Sequence, residues 1–181
     1  MPRYSDFLAA GLTALSERDT ALALRANHWS DIAWVRAPLR AVSRLGDGVF
    51  WYVLMGALLA AGGTTAFRPV MQMVVAGTLG VALYKLLKRR TLRPRPYQVR
   101  PDIRLCGVPL DHYSFPSGHT LHAVGLTLIA TAHFPLLAPL LVPFAVLVAL
   151  SRVVLGLHYP SDVLAGAVLG AGIATAALHA L

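Results

Sequence analysis

Long stretches without a charged side chain alternate with short polar segments along most of the chain. No Asp, Glu, Lys or Arg occurs between residues 48 and 67, between residues 112 and 151, or after residue 162. A helix that crosses a bilayer needs roughly 20 predominantly apolar residues. Pro135 divides the longest uncharged run, and Arg68-Pro69 predicts a turn. The pattern therefore predicts five helical spans, at about residues 48–67, 70–84, 118–133, 136–152 and 163–181.

Residues 1–45 have a different pattern. Apolar residues recur there at helical spacing, but Glu17, Arg18 and Asp19 interrupt them. We expect one or two amphipathic helices at the membrane interface, with Trp29 and Trp34 at headgroup depth. The alternative for this segment is a soluble helical cap.

The composition places the chain among membrane proteins. Hydrophobic residues make up 56% and charged residues 13%, whereas soluble domains carry about 25% charged residues. With a single cysteine no intrachain disulfide can form. We expect an all-α, polytopic membrane helical bundle in one domain of residues 1–181, with an interfacial amphipathic segment (1–45) and a transmembrane bundle (46–181). Glycines of the last span predict close helix packing: Gly166, Gly170 and Gly172.

Basic residues are concentrated in one segment. Residues 85–104 hold eight Lys and Arg side chains and one acid, Asp102, out of a net charge of +8 for the whole chain. A basic segment beside a membrane helix is typical of a cytoplasmic anchor or a patch that binds anionic lipid. Nucleic-acid binding is not expected, because the segment has few aromatic residues and adjoins membrane spans.

Polar segments at the ends of the spans should meet at one membrane face. The second span ends at Lys88, the third begins at Pro116, the fourth ends at Arg152 and the fifth begins near Pro160. Alternating span directions put all four ends on the same side. This convergence favours a functional site there.

The segment Pro116-Ser117-Gly118-His119 predicts the start of a helix. Ser117 suits an N-cap, and the first N–H groups of a helix bind anions well. Gly118 has no side chain to keep an anion from the backbone. His119 would stand beside the bound group, although a cap followed by an interface histidine is an equally good interpretation of these four residues alone.

Cations and histidines complete a candidate site for phosphoryl transfer. Lys88, Arg95 and Arg152 would bind phosphate oxygens. Asp162, four residues after His158, would hold one imidazole nitrogen and leave the other free as a nucleophile. His119 would protonate the leaving oxygen.

A metal site is the rival interpretation of the histidines. The spacings His119-x2-His122 and His158-x3-Asp162 resemble those of metal ligands. Three nearby cations would repel a divalent metal, however, and Asp111 is the only other carboxylate close by in sequence. We therefore predict a site that uses no metal.

The polar segments together resemble the three-part signature of the type 2 phosphatidic acid phosphatase (PAP2) superfamily, in its branch of bacterial membrane lipid phosphatases. The matching segments are Lys88-x6-Arg95-Pro96, Pro116-Ser117-Gly118-His119 and Ser151-Arg152-x5-His158-x3-Asp162. All eleven specified positions match in order. Membrane members of the family usually have six spans, so the first is expected to be replaced by the amphipathic segment.

The resemblance implies roles for individual residues. His158 would form a phosphohistidine, Asp162 would orient it, and His119 would be the acid. Phosphate oxygens would be held by a set of five residues: Lys88, Arg95, Ser117, Gly118 and Arg152. No cofactor and no metal are implied. A lipid phosphotransferase, a vanadate-dependent haloperoxidase and a non-enzymatic anion transporter or lipid-binding anchor are the alternatives.

The resemblance also implies a substrate class and a location. The expected partners are the bilayer and a lipid phosphate, with undecaprenyl pyrophosphate, phosphatidylglycerophosphate and phosphatidic acid as candidates. The location would be the bacterial cytoplasmic (inner) membrane, with the site on its extracytoplasmic side. The positive-inside rule opposes that side, because the five-span topology puts every Lys and Arg except Arg68 on the active-site face.

Overall fold

Eight α-helices and three short 3-10 helices form the described part of the protein. A computed structural model describes the backbone of residues 4–180 and the side chains of residues 15–180. This description leaves out residues 1–3, the side chains of residues 4–14 and Leu181. The predictions for the amphipathic segment and the last span lie outside it at these residues. No strand occurs within residues 4–180. The α-helices are α1 (Tyr4–Asn27), α2 (Ala33–Leu45), α3 (Val49–Gly62), α4 (Phe67–Thr91), α5 (Pro96–Val99), α6 (Gly118–His133), α7 (Ala138–Val154) and α8 (Pro160–Ala180).

Three helical segments of the described residues are long and apolar enough to cross a membrane. They are Val49–Val99, which includes α3, α4 and α5, then Pro135–Val154 and Pro160–Ala180. Helix α6, with 16 residues, rises only about 24 Å and packs against α4, α7 and α8. The all-helical membrane fold is confirmed, while the number of crossings stays a prediction.

The boundary between the first two predicted spans differs from the expectation. Helix α3 ends at Gly62, because Gly63 adopts a positive φ of 53° that favours glycine. Helix α4 then begins at Phe67 and contains Arg68 and Pro69. The predicted turn at Arg68-Pro69 is wrong, because proline is tolerated in the first turn of a helix, where its missing N–H has no partner to lose.

Close packing of α8 against α6 depends on two glycines. A Cβ atom on Gly166 would lie 2.5 Å from the carbonyl oxygen of Ser117, and one on Gly170 would lie 2.2 Å from that of Leu121. Gly172 faces open space instead. The packing prediction is confirmed for the first two glycines and wrong for the third. Around this contact lies the apolar core, which includes Trp51, Met73, Leu126, Ile129, Leu141 and Val148.

The amino-terminal helices pack on the bundle at the end where the predicted site lies. Helix α1 contacts α7 and α8, and α2 contacts α7. The side chain of Asn27 is buried and donates to the carbonyl oxygens of Arg104 and Val154, each at 2.9 Å. Trp29 and Trp34 remain 57% and 76% exposed. The segment is therefore tied to the bundle by polar contacts and leaves these two tryptophans exposed.

Candidate active site

The three polar segments meet at a cavity of about 440 Å³ between α3, α4 and the start of α6. Six of the eight predicted site residues line it: Lys88, Arg95, Gly118, His119, Arg152 and His158. Ser117 and Asp162 are fully buried behind them. Apolar side chains of α3 and α4 form another part of the wall, including Trp51, Met55, Met73 and Val74.

Helix α6 begins at Gly118 with Ser117 as its N-cap, which confirms the predicted helix start. The hydroxyl of Ser117 contacts the Thr120 hydroxyl at 3.0 Å and accepts from the Thr120 N–H at 3.5 Å. Its own N–H donates to the backbone oxygen of Asp162 at 3.0 Å. The side chain of Ser117 therefore holds the helix start and ties it to α8, and it does not line the cavity.

His158 lies between a guanidinium and a carboxylate. Nη1 of Arg95 is 3.2 Å from Nε2 of His158, and a guanidinium has no acceptor. Nε2 must therefore be the nitrogen without a proton, and the neutral ring carries its proton on Nδ1. Oδ2 of Asp162 is 3.6 Å from Nδ1, about 0.4 Å beyond the usual hydrogen-bond limit of roughly 3.2 Å.

Asp162 is fixed by contacts that the sequence did not predict. Its Oδ2 accepts from the N–H of Tyr159 at 2.8 Å, and its Oδ1 accepts from Nη1 of Arg93 at 2.7 Å. Nη2 of Arg93 pairs with Asp19 of α1 at 2.7 Å. Asp19 also accepts hydrogen bonds from the N–H and hydroxyl of Ser161. The amino-terminal helix thus supports the carboxylate that faces His158.

The predicted phosphate-binding cations are deeply buried. Arg95 and Arg152 are each only 1% exposed, and Lys88 is buried as well. Nη1 of Arg152 donates to the hydroxyl of Ser43 of α2, while its buried Nε has no partner within the described residues. Buried cations require anionic or polar partners, so this cluster has the chemistry that an anion site needs.

Asp111 bridges two of these cations. Nζ of Lys88 lies 2.7 and 2.8 Å from its two carboxylate oxygens, and Nη2 of Arg95 lies 2.7 Å from Oδ1. Burial opposes the charge of Asp111, but Lys88 and Arg95 outweigh it and hold its pKa below the usual range. From the sequence, Asp111 was noted only as a carboxylate close by. Its oxygens bind the same donors that phosphate oxygens would.

Burial keeps His158 uncharged. Loss of solvent is the largest cause, and the positive charges of Arg95, Arg152 and Lys88 act in the same direction, so the pKa of His158 lies well below its usual 6.5. A neutral imidazole has a free electron pair at Nε2. The unprotonated Nε2 thus has the electron pair that a nucleophile needs.

His119 has a carboxylate partner that no motif indicated. Its Nε2 hydrogen-bonds to Oδ1 of Asp47, at the turn between α2 and α3. Asp47 also lines the cavity. Because Asp47 lies 72 residues from His119 and beside glycines typical of turns, the sequence carries no signal that would join the two.

The histidines do not form a cluster of metal ligands with acids or Cys106. The two ring nitrogens of His122 lie within hydrogen-bond distance of the backbone oxygens of Gly118 and Gly77. Among residues 15–180, no group of three or more His, Cys, Asp or Glu side chains is placed to hold a metal ion.

Comparisons with known proteins agree with this architecture. The model of the PAP2 superfamily matches residues 69–181. The chain is 31% identical to the undecaprenyl-diphosphatase of Sulfolobus acidocaldarius over 81% of its own length and 70% of that protein. It is 32% identical to the decaprenylphosphoryl-5-phosphoribose phosphatase of Mycobacterium tuberculosis, over 76% of this chain and 75% of the relative.

A solved structure gives the same result for the fold. The transmembrane PAP2-type phosphatidylglycerolphosphate phosphatase of Bacillus subtilis superposes with a TM-score of 0.71 and 28% identity, over 96% of this chain and 90% of that one. The resemblance drawn from the three polar segments is thereby confirmed. On this sequence match and this common architecture, the chain belongs to the PAP2 superfamily.

Proposed function

We propose that this protein is an integral membrane phosphatase that hydrolyses a phosphate ester or pyrophosphate of a lipid through a phosphohistidine on His158. One observation carries the proposal: Arg95 contacts Nε2 of His158 at 3.2 Å and so leaves the proton on the side of Asp162. The free electron pair of the nucleophile then lies within the cluster of cations. Such a cluster is what an attacked phosphoryl group requires.

The reaction proceeds in two displacements. Nε2 of His158 attacks phosphorus and forms the N–P bond while the bond to the leaving oxygen breaks, and His119 gives that oxygen its proton. His119 then removes a proton from water, whose oxygen attacks phosphorus and breaks the N–P bond. Phosphate leaves, and His158 is neutral again. Asp162 stabilises the positive charge that the ring of His158 carries in the intermediate.

The cations bind the oxygens of the transferred group. Lys88, Arg95 and Arg152 neutralise the charge that spreads over these oxygens in the transition state. The N–H groups of the first turn of α6 add an anion site, which Gly118 leaves accessible. Ser117 contributes by holding that turn. Phosphate oxygens take over the bonds that Lys88 and Arg95 make with Asp111.

The shape of the cavity favours a substrate with an apolar tail. Its wall consists largely of α3 and α4 side chains such as Met55 and Val74, and both helices belong to a segment apolar enough to cross a membrane. A lipid chain can extend along this wall into the bilayer while its phosphate reaches His158. Undecaprenyl pyrophosphate, phosphatidylglycerophosphate and phosphatidic acid all have this form.

A five-span topology completes the proposal, with α3, α4, α6, α7 and α8 crossing the membrane and residues 1–45 at the interface of the active-site face. The bundle of residues 46–181 is the catalytic unit. We place the protein in the bacterial cytoplasmic membrane with its site on the extracytoplasmic side. A green fluorescent protein fused after residue 181 should then fluoresce, and an alkaline phosphatase fusion should be inactive. The reverse pattern would contradict this topology.

Phosphate release from purified protein tests the activity. In detergent micelles the protein should release phosphate from at least one of the three lipids, and His158→Ala should release none. His179→Ala is the matched control, because His179 is exposed near the end of α8 and does not line the cavity. Equal phosphate release by wild type and His158→Ala would contradict the proposal.

A further inference from the structure

Asp47 is an acidic residue in direct contact with the group that protonates the leaving oxygen. It hydrogen-bonds to Nε2 of His119 and lines the same cavity, and its side chain is 32% exposed. It lies outside the three signature segments and outside the residues that match the family model. A leaving oxygen that takes its proton from Nε2 of His119 therefore comes close to the carboxylate of Asp47.

The cations of the cavity all serve the phosphorus that His158 attacks. Lys88, Arg95 and Arg152 each act on His158 through their charge. No other Lys or Arg lines the cavity among the residues that the structure describes. A second phosphate, placed between the attacked phosphorus and the lipid tail, would find no lysine or arginine of its own and would face the pair of His119 and Asp47. The charge of the protonated histidine is offset there by the carboxylate of Asp47.

The two classes of substrate differ in their leaving group. Hydrolysis of a phosphomonoester expels an alkoxide, a strong base that must receive a proton as the P–O bond breaks. Hydrolysis of a pyrophosphate at its terminal phosphorus expels a phosphate monoester, whose second pKa is about 6 and which leaves as an anion without a proton. Asp47 and His119 together favour the first reaction, and the carboxylate of Asp47 opposes the anionic product of the second.

We infer that Asp47 makes the active site selective for lipid phosphomonoesters over lipid pyrophosphates. The inference rests on the proposed phosphatase function and specifies its substrate class. The carboxylate accepts the hydrogen bond of the protonated His119 and so supports the acid that an alkoxide needs. It also places a negative charge where the anionic leaving group of a pyrophosphate would develop.

Paired substrates with one tail test the inference. We would measure kcat/KM for farnesyl monophosphate and farnesyl pyrophosphate in the same detergent, following phosphate release and identifying the lipid product. The wild type should prefer the monophosphate by at least about tenfold, as expected for one carboxylate a few ångströms from a developing anion. Asp47→Asn keeps the shape of the side chain and removes the charge, so this preference should narrow by about tenfold or more.

Matched variants separate this effect from folding and from net charge. Asp47→Glu keeps the carboxylate and should keep the preference for the monophosphate. Asp102→Asn changes the net charge equally, but Asp102 pairs with Arg100 at the surface, away from the cavity, and the preference should again be unchanged. Thermal unfolding of each variant in detergent checks that it is folded.

Other outcomes overturn distinct statements. Equal kcat/KM values of the wild type for the two substrates, or an unchanged ratio in a folded Asp47→Asn protein, would overturn the role of Asp47 and leave the phosphatase function in place. Asp47→Asn could prove too unstable to assay. If Asp47→Glu then also lost the preference for the monophosphate, the role of Asp47 would again be contradicted. Absence of phosphate release from any lipid would overturn the proposed function, and this inference with it.

Discussion

Replacing Gly166 by Ala is expected to displace α8 from the start of α6. The new Cβ atom would lie 2.5 Å from the backbone oxygen of Ser117, whereas ordinary contact begins at 3.4 Å. The two helices must therefore separate by about 0.9 Å at this point. Gly166 lies one turn after Asp162, which receives the N–H of Ser117 through its backbone oxygen. The movement thus reaches the carboxylate that faces His158.

The magnitude follows from two opposing terms and one displacement. Overpacking costs about 1–3 kcal/mol, and alanine gains about 1 kcal/mol over glycine in a helix, so the net loss of stability is about 0–2 kcal/mol. A misplacement near 1 Å costs about 100-fold in rate. We therefore expect Gly166→Ala to lower kcat about 100-fold while most of the protein remains folded.

Gly172→Ala is the control, because a Cβ atom there meets nothing within 4 Å. It gains the same helix propensity without a clash, so it should keep wild-type activity. In thermal or denaturant unfolding in detergent, it should be about 1–3 kcal/mol more stable than Gly166→Ala. Equal kcat and equal stability of the two variants would refute the argument that α6 and α8 touch at Gly166.

Three further predictions concern the chemistry of the site. His158→Ala and His119→Ala should each lower turnover by orders of magnitude without preventing folding, and near-normal phosphate release by either would exclude the assigned role. Activity should persist in excess EDTA, and vanadate should inhibit competitively as a mimic of five-coordinate phosphorus; loss of activity with chelator and recovery with zinc or magnesium would demand a metal mechanism. The pKa of His158 lies well below 6.5, so its ring stays unprotonated as the pH falls through 6.5. Titration of His158 should therefore cause no fall of kcat near that pH. In the unfolded chain His158 binds a proton below about pH 6.5. The free energy of unfolding should therefore decrease as the pH falls below about 6.5.

The sequence predicted those parts of the fold and site that are local or periodic. Uncharged runs marked the helices, and Ser117 followed by an apolar stretch marked the start of α6. The juxtaposition of Lys88, His119 and His158 followed from the alternating directions of the helices. The helices and the cap depend on residues close together in the sequence, and the juxtaposition depends only on the order of the spans. A single sequence displays both.

Long-range polar contacts could not be predicted in the same way. Asp19 lies 142 residues from Ser161, and Asp47 lies 72 residues from His119. Asp19 follows Glu17 and Arg18, as on an ordinary helix surface, and Asp47 stands between two glycines, as in an ordinary turn. The contact between the buried hydroxyl of Ser117 and that of Thr120, one helical turn away, was also not indicated by the motif.

The ion pair between Asp19 and Arg93 limits which amino-terminal helices can be combined with the rest of this enzyme. Residues 69–181 match the family, yet they contain an arginine that directs one guanidinium nitrogen to Asp162 and the other to a carboxylate on α1. A chimera that takes its amino-terminal helix from a relative without an acid at this position would leave Arg93 half-paired, with Asp162 as its only anion. Exchange of the amino-terminal segment between relatives is therefore constrained by the chemistry of the site, and a compatible donor helix must supply the matching carboxylate.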